Sequence, residues 1–250
     1  MNTKTARQIE EMKKQTIGVE IEMNSISRSK AAKLASQFFG TGRYKNTADR
    51  NGYCTYSAWD EQGREWKFQK DVSIAGIDSE KCEMVTPILN YSDIETLQEL
   101  VRILRKAGAK SDSTRGCGVH IHIGAKGHTA KTLRNLANIM ASHEQLLIDA
   151  LNLDVVRIRR YCKTVDPRFL EQVNRTKPET MSQLADVWYK SHDENYGRSH
   201  HYNGSRYHML NLHATFTKDV SAETETFDMP AADAAKLIAK TLKEKQIITK

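Results

Sequence analysis

Strict alternation of apolar and polar side chains marks Thr16–Met23 as a strand. Ile17, Val19 and Ile21 fall on one face, and Gly18, Glu20 and Glu22 on the other. The same period recurs in Arg115–Gly124, where Val119-His120-Ile121-His122-Ile123 sets aliphatics against two imidazoles. Positions two apart on a strand stand about 6.6 Å apart, so both imidazoles can serve one site. Gly116, Gly118 and Gly124 bracket this strand, where the backbone must bend or approach a ligand closely. The bland alternative is a half-exposed strand whose outer face happens to carry histidines.

Further elements follow from the same pattern. Residues 1–15 read as a polar helical lead-in. Ser29 to Phe39 has the spacing of a short amphipathic helix, with Gly40 as its C-cap. Tyr53–Asp60 and Glu65–Ser73 read as a hairpin joined through Gly63; Trp66 and Phe68 share one face of its second strand, and Lys67, Gln69, Asp71 and Ser73 the other. Lys81–Leu89, ending near Pro87 and carrying Glu83, is a further strand. Ser92-Asp-Ile-Glu95 has the form of a capping box and opens a helix to Ala107. Thr129 starts a longer helix to about Leu151, in which His143 and Glu144 read as a surface pair. The arginine-rich Asp154–Phe169 reads as a solvated face. Pro178–Lys190 is expected to be a helix with proline at its start. Residues 191–205 form a polar loop, a candidate mobile lid, and five of the nine histidines fall between 192 and 213. Arg206–Phe216 returns to strand alternation. Ala231–Lys245 is expected to be a Lys-rich amphipathic helix.

Strands with polar faces interleaved with helices predict an α+β fold: a mostly antiparallel sheet, polar and charged on its concave face, with helices on the other. The chain of 250 residues is long enough to bury a core. Its expected division is the lead-in 1–15, one catalytic domain at 16–229, and the C-terminal helix at 230–250.

Composition narrows the partners. The net charge of +7 and pI near 9.1 favour anionic ligands such as nucleotides, phosphorylated intermediates or nucleic acid. No helix-turn-helix, RNP motif or zinc finger is visible, which places nucleic-acid binding last. No run of 18 apolar residues exists, so no membrane partner is expected. The N-terminus lacks the apolar core of a secretory signal. Cys54, Cys82, Cys117 and Cys162 form no C-x-x-C pair; reduced thiols and a cytoplasmic location are expected. Glu20 and Glu22 side by side on a strand repel each other unless cations lie between them. Several carboxylates with an occasional imidazole suit hard divalent cations such as Mg²⁺ or Mn²⁺, with zinc second.

An ordered set of short segments is similar to one family. Gly18-Val-Glu20-Ile-Glu22, Trp66, Asp71-x-Ser73-Ile74, Glu83-Met-Val-Thr-Pro87 and Gly116-Cys-Gly-Val-His120-Ile-His122-Ile resemble the amidoligases, carboxylate–amine ligases related to glutamine synthetase and glutamate–cysteine ligase. Arg160-Tyr-Cys162, Arg206-Tyr207 and Asn211-Leu212 fit the same pattern less distinctively. The resemblance spans about residue 16 to about residue 216. It implies a glutamine-synthetase-like fold, ATP and Mg²⁺ as cofactors, and transfer of the γ-phosphoryl group to a substrate carboxylate, with an amine attacking the acyl phosphate. The carboxylate can be that of a small molecule, a peptide or a protein. It further implies Glu20, Glu22, Glu83 and His120 as metal ligands, and His122, Arg206 and Asn211 as nucleotide contacts. Asp71 would orient or deprotonate the amine, and Arg206 would steady phosphate or carboxylate during catalysis. The chain departs from the family in its last segment. Where a strand carrying Glu-x-Arg is expected, Phe216–Phe227 contains Glu223 and Glu225 but no arginine. That departure raises a second expectation, an amidoligase-like protein that binds nucleotide or a partner protein without turnover.

Overall fold

The computed structural model describes residues 3–48, 52–200 and 202–217. The expected C-terminal helix, and the divergent segment beyond Thr217, lie outside the described residues. The chain divides into two compact units, one of residues 10–124 and one of residues 1–9 with 125–250. Helix α1 (Thr3–Lys13) opens the chain.

The 10–124 unit is an α+β layer structure. Its elements are β1 (Ile17–Met23), α2 (Arg28–Phe38), β2 (Tyr44–Asn46), β3 (Tyr56–Trp59), β4 (Glu65–Gln69), β5 (Cys82–Val85), α3 (Ile94–Lys106) and β6 (Val119–Ile123). The strands form one open, uncurled sheet in the order β2-β3-β4-β5-β1-β6, and every pairing is antiparallel. Register sorts the side chains. Glu20 lies opposite His120 and Val85, Glu22 opposite Glu83, and Gln69 opposite Glu83. The intervening residues Met23, Ala58, Trp66, Phe68, Cys82 and Met84 point to the other face. There they pack with Ala31, Ala32 and Ala35 of α2 and Leu100 and Leu104 of α3. Period-two alternation thus places an apolar face under two helices and leaves the polar face without them. Small alanines let α2 lie close on the strands.

A buried polar knot ties the β3–β4 turn to the start of α3. Asp60 accepts hydrogen bonds from Trp66 Nε1 (3.1 Å) and Arg64 Nε (2.8 Å), and Arg64 reaches both oxygens of Asp93 at 2.9 and 3.1 Å. The capping box lies two residues earlier than expected. Asn90 and Asp93 form it around a 3₁₀ turn, Tyr91–Asp93, because the Asp93 carboxylate accepts from the Asn90 N–H. Ser92 is not the cap.

The second unit is helical among its described residues: α4 (Ala130–Leu151), α5 (Val155–Arg160), α6 (Pro167–Thr176), α7 (Met181–Ser191) and α8 (His213–Thr217). Thr129 caps α4 as expected. Three expectations are corrected here. The helix that begins on proline is α6, capped by Asp166 and starting at the end of the arginine-rich stretch; α7 is instead capped by Thr180. Glu144 is buried, not a surface residue, and accepts a hydrogen bond from the Val165 N–H at 2.7 Å. Arg206–Phe216 is not a strand. Asn203 caps a 3₁₀ turn at Gly204–Arg206, and Asn211 accepts from the His213 N–H at 2.9 Å to start α8. Local side-chain bonds of this kind compete with a sheet ladder. The core is aromatic, with Phe169 and Trp188 meeting edge-on at 4.9 Å between ring centres.

Among the described residues no helix is long and apolar enough to cross a membrane.

Candidate functional site: a carboxylate–imidazole centre on the open sheet face

The expected residues Glu20, Glu22, Asp71, Glu83, His120 and His122 all belong to the 10–124 unit, and the sheet register gathers them. Glu20 is clasped by two imidazoles of the neighbouring edge strand, His120 Nδ1 at 3.1 Å and His122 Nε2 at 3.3 Å. Glu22 accepts from the Gly118 N–H at 2.6 Å and from Ser73 Oγ at 3.3 Å. Glu83 accepts from Gln69 Nε2 at 2.9 Å. Glu22 and Glu83 are each only 5% exposed, while His120 and His122 remain open to solvent. The centre therefore has a buried acidic floor and an accessible imidazole edge.

The loop after β4 brings in Asp71 and Ser73. Asp71 Oδ1 accepts from the Ser73 N–H at 2.6 Å, and the Ala75 N–H bonds to the Arg115 carbonyl at 2.8 Å, joining this loop to the one before β6. Gly116 permits that junction. Its φ is +83°, and a Cβ there would lie 2.6 Å from the Ser73 carbonyl oxygen.

Two ligand sets arise, Glu20–Glu83–His120 and Glu22–Asp71–Glu83, which share Glu83. Within each, one donor atom per residue lies within 4.8 Å of the others. Charge is the chief problem of such a cluster, and the titration behaviour reflects it. Burial, then the charges of Glu20, Asp71 and Glu22, push the Glu83 carboxyl up to about 7, against the opposing hydrogen bond from Gln69. Hydrogen bonds from His120 and then His122 hold Glu20 well below the usual carboxylate range. The reciprocal bond to Glu20 raises His120, with the charges of Glu22, Glu20 and Glu83 adding to it. The centre keeps a proton near neutral pH chiefly because Glu83 is buried, and then because its neighbours are also carboxylates. A divalent cation fits that environment, since it would replace the proton and satisfy several oxygens. Mostly oxygen donors with one imidazole match Mg²⁺ or Mn²⁺ better than zinc.

Arg206 and Asn211 belong to the other unit. Arg206 stacks on Tyr202 and Tyr207, its guanidinium carbon 5.5 and 5.9 Å from the ring centres, and the Asn211 side chain caps α8. Sequence reasoning did not single out Gln69 or the Gly118 amide. Gln69 was recoverable from its place on the polar face of the second hairpin strand. The amide was not, because it depends on how the loop before β6 turns.

The fold and the centre define a class: an α+β protein whose open sheet face carries a carboxylate–imidazole cluster with donor sets suited to divalent cations. A family model described as "putative amidoligase enzyme" matches residues 13–239, and the chain belongs to that family. The family's description is that of a ligase. No curated protein and no solved structure matches the chain.

Proposed function

We propose that the chain is an ATP- and Mg²⁺-dependent carboxylate–amine ligase acting through an acyl phosphate, with a glutamine-synthetase-like arrangement of its sheet. The observation that carries this reading is the convergence of Glu20, Glu22, Glu83, Asp71 and His120 on one polar sheet face in a chain of amidoligase ancestry. Glu20, Glu22, Glu83 and His120 would hold Mg²⁺, with Mn²⁺ as a substitute. The bound cations would supply charge neutralisation between triphosphate and carboxylate, groups that otherwise repel. His122 would face a phosphate, donating a ring N–H to its oxygen.

The bond changes are simple. A carboxylate oxygen of the substrate bonds to the γ-phosphorus as the β–γ bridging bond breaks and ADP leaves. The amine nitrogen then attacks the acyl carbon, phosphate departs, and an amide or isopeptide bond remains. Asp71, partly exposed at the rim, would accept the proton that the amine must lose.

A second reading rests on the segment Phe216–Phe227, which lacks the arginine of the family's closing strand. It holds that the chain binds nucleotide or a partner protein and does not turn over. Thermal unfolding with and without Mg²⁺-ATP tests what both readings share. The ligase reading and the nucleotide-binding form of the second expect stabilisation in the wild type and its loss in Glu20→Ala/Glu22→Ala. Absence of any Mg²⁺-ATP shift in the wild type would sink both of these and leave only the partner-protein form.

A further inference from the structure

The second unit holds a cluster that the ligase reading does not use. His192, at the end of α7, donates Nδ1–H to the Trp188 carbonyl at 2.6 Å. His208 donates Nδ1–H to the Ser205 carbonyl at 3.1 Å. A carbonyl can only accept, so both rings are fixed with the proton on Nδ1, and Nε2 carries the bare lone pair. The rings lie 4.5 Å apart, centre to centre, at 74°. Asp166, the cap of α6, completes a triad: one ring nitrogen from each histidine and one Asp166 oxygen lie within 4.8 Å of one another.

This is more than aromatic packing. His192 Nε2 is buried and meets no hydrogen-bonding partner among the described residues. A buried acceptor left bare is destabilising, and a bound ion would supply the missing partner. Backbone carbonyls behind two imidazoles are the usual outer support of a histidine metal site, since they fix tautomer and ring direction. Burial lowers the proton affinity of both rings, and that of His208 further by the proximity of His192; the His208 value falls to about 4. Asp166 stays ionised: hydrogen bonds from the Arg168 side chain and N–H outweigh its burial. The Arg168 guanidinium is shared with Asp193 at 2.7 Å.

We infer that Asp166, His192 and His208 form a second metal site, selective for a first-row transition ion of the zinc class. Two imidazole nitrogens and one carboxylate oxygen are borderline donors, unlike the oxygen-rich centre on the sheet. Three protein ligands leave one tetrahedral position for water or another donor.

The test uses the full-length protein, stripped with chelator, equilibrated with Zn²⁺ in excess Mg²⁺, and analysed for metal content. Glu22→Gln/Glu83→Gln should retain roughly one equivalent of zinc. His192→Gln/His208→Gln should lose that equivalent, with far-UV circular dichroism reporting its fold. No zinc in the glutamate variant, or unchanged zinc in a folded histidine variant, overturns the proposal. Should the histidine variant not fold, Co²⁺ loaded into a variant without the sheet imidazoles, His120→Gln/His122→Gln, decides. Two imidazole ligands predict an intense tetrahedral visible band and two paramagnetically shifted, exchangeable ring N–H signals by NMR. Absence of those signals refutes the site.

Discussion

Replacing Glu83 by glutamine should stabilise the metal-free protein, and by an amount that depends on pH in a calculable way. The side chain is buried, and glutamine preserves its shape and the acceptor that Gln69 uses. The fold raises this carboxyl from an ordinary value of about 4.3 to about 7. At about 1.4 kcal/mol per tenfold change in proton affinity, that is about 3–4 kcal/mol of unfavourable ionisation. The sign follows from proton counts. Between about pH 4.3 and 7 the native state holds a proton that the unfolded chain has released, so wild-type stability falls as pH rises through that window. Above it the penalty is complete. In chelator at pH 8 the glutamine variant should therefore melt roughly 6–12 °C above wild type, and the gap should close by about pH 4 to 5. Saturating Mg²⁺ or Mn²⁺ should reverse the order, because only the wild type keeps the ligand shared by both donor sets. Circular dichroism melts from pH 4 to 8, with chelator or cation, provide the measurement. A variant no more stable at pH 8, or a gap independent of pH, would refute the claim that a carboxyl buried among other carboxylates defines this centre.

Three further predictions concern the scaffold. Asp60→Ala strips the acceptor from buried Trp66 Nε1 and leaves Arg64 with Asp93 alone, so it should cost about 3 kcal/mol in urea unfolding. Hydrogen bonding to Arg64 holds Asp93 below its ordinary value of about 3.9; the stability it confers is present above that pH and should fade as pH falls further, an acid limb that Asp93→Asn should flatten. Gly116→Ala puts a side chain at φ +83° and 2.6 Å from the Ser73 carbonyl. It should cost about 1–3 kcal/mol and weaken cation-dependent stabilisation by shifting Ser73 away from Glu22.

The sheet was legible because its strands obey one strong rule, alternation with burial on one side. Glu20/Glu22 and His120/His122 could be assigned to a single face from their spacing alone, and the register then set Glu20 beside His120. The pairing of Glu22 with Glu83, distant in sequence, is a property of strand order and could not be read from either segment. The helical unit was less legible. Arg206–Phe216 alternates like a strand, yet Asn203 and Asn211 divert its backbone into turns. Arginines at 157, 159, 160 and 168 obscured the helix begun by Asp166 and Pro167. The His192–His208 pairing escaped notice because these residues lie on a helix end and a turn, with no shared period to mark them.

The most direct test of the central claim is ADP release, followed across a panel of carboxylates with and without an amine, in Mg²⁺ and in chelator. The account predicts Mg²⁺-dependent ADP formation that requires a carboxylate, is stimulated by an amine, and is abolished in Glu20→Ala/Glu22→Ala. ADP release that is indifferent to Mg²⁺ or unchanged in that variant would contradict it, as would Mg²⁺-ATP binding with no turnover on any carboxylate–amine pair, the outcome the non-catalytic reading predicts.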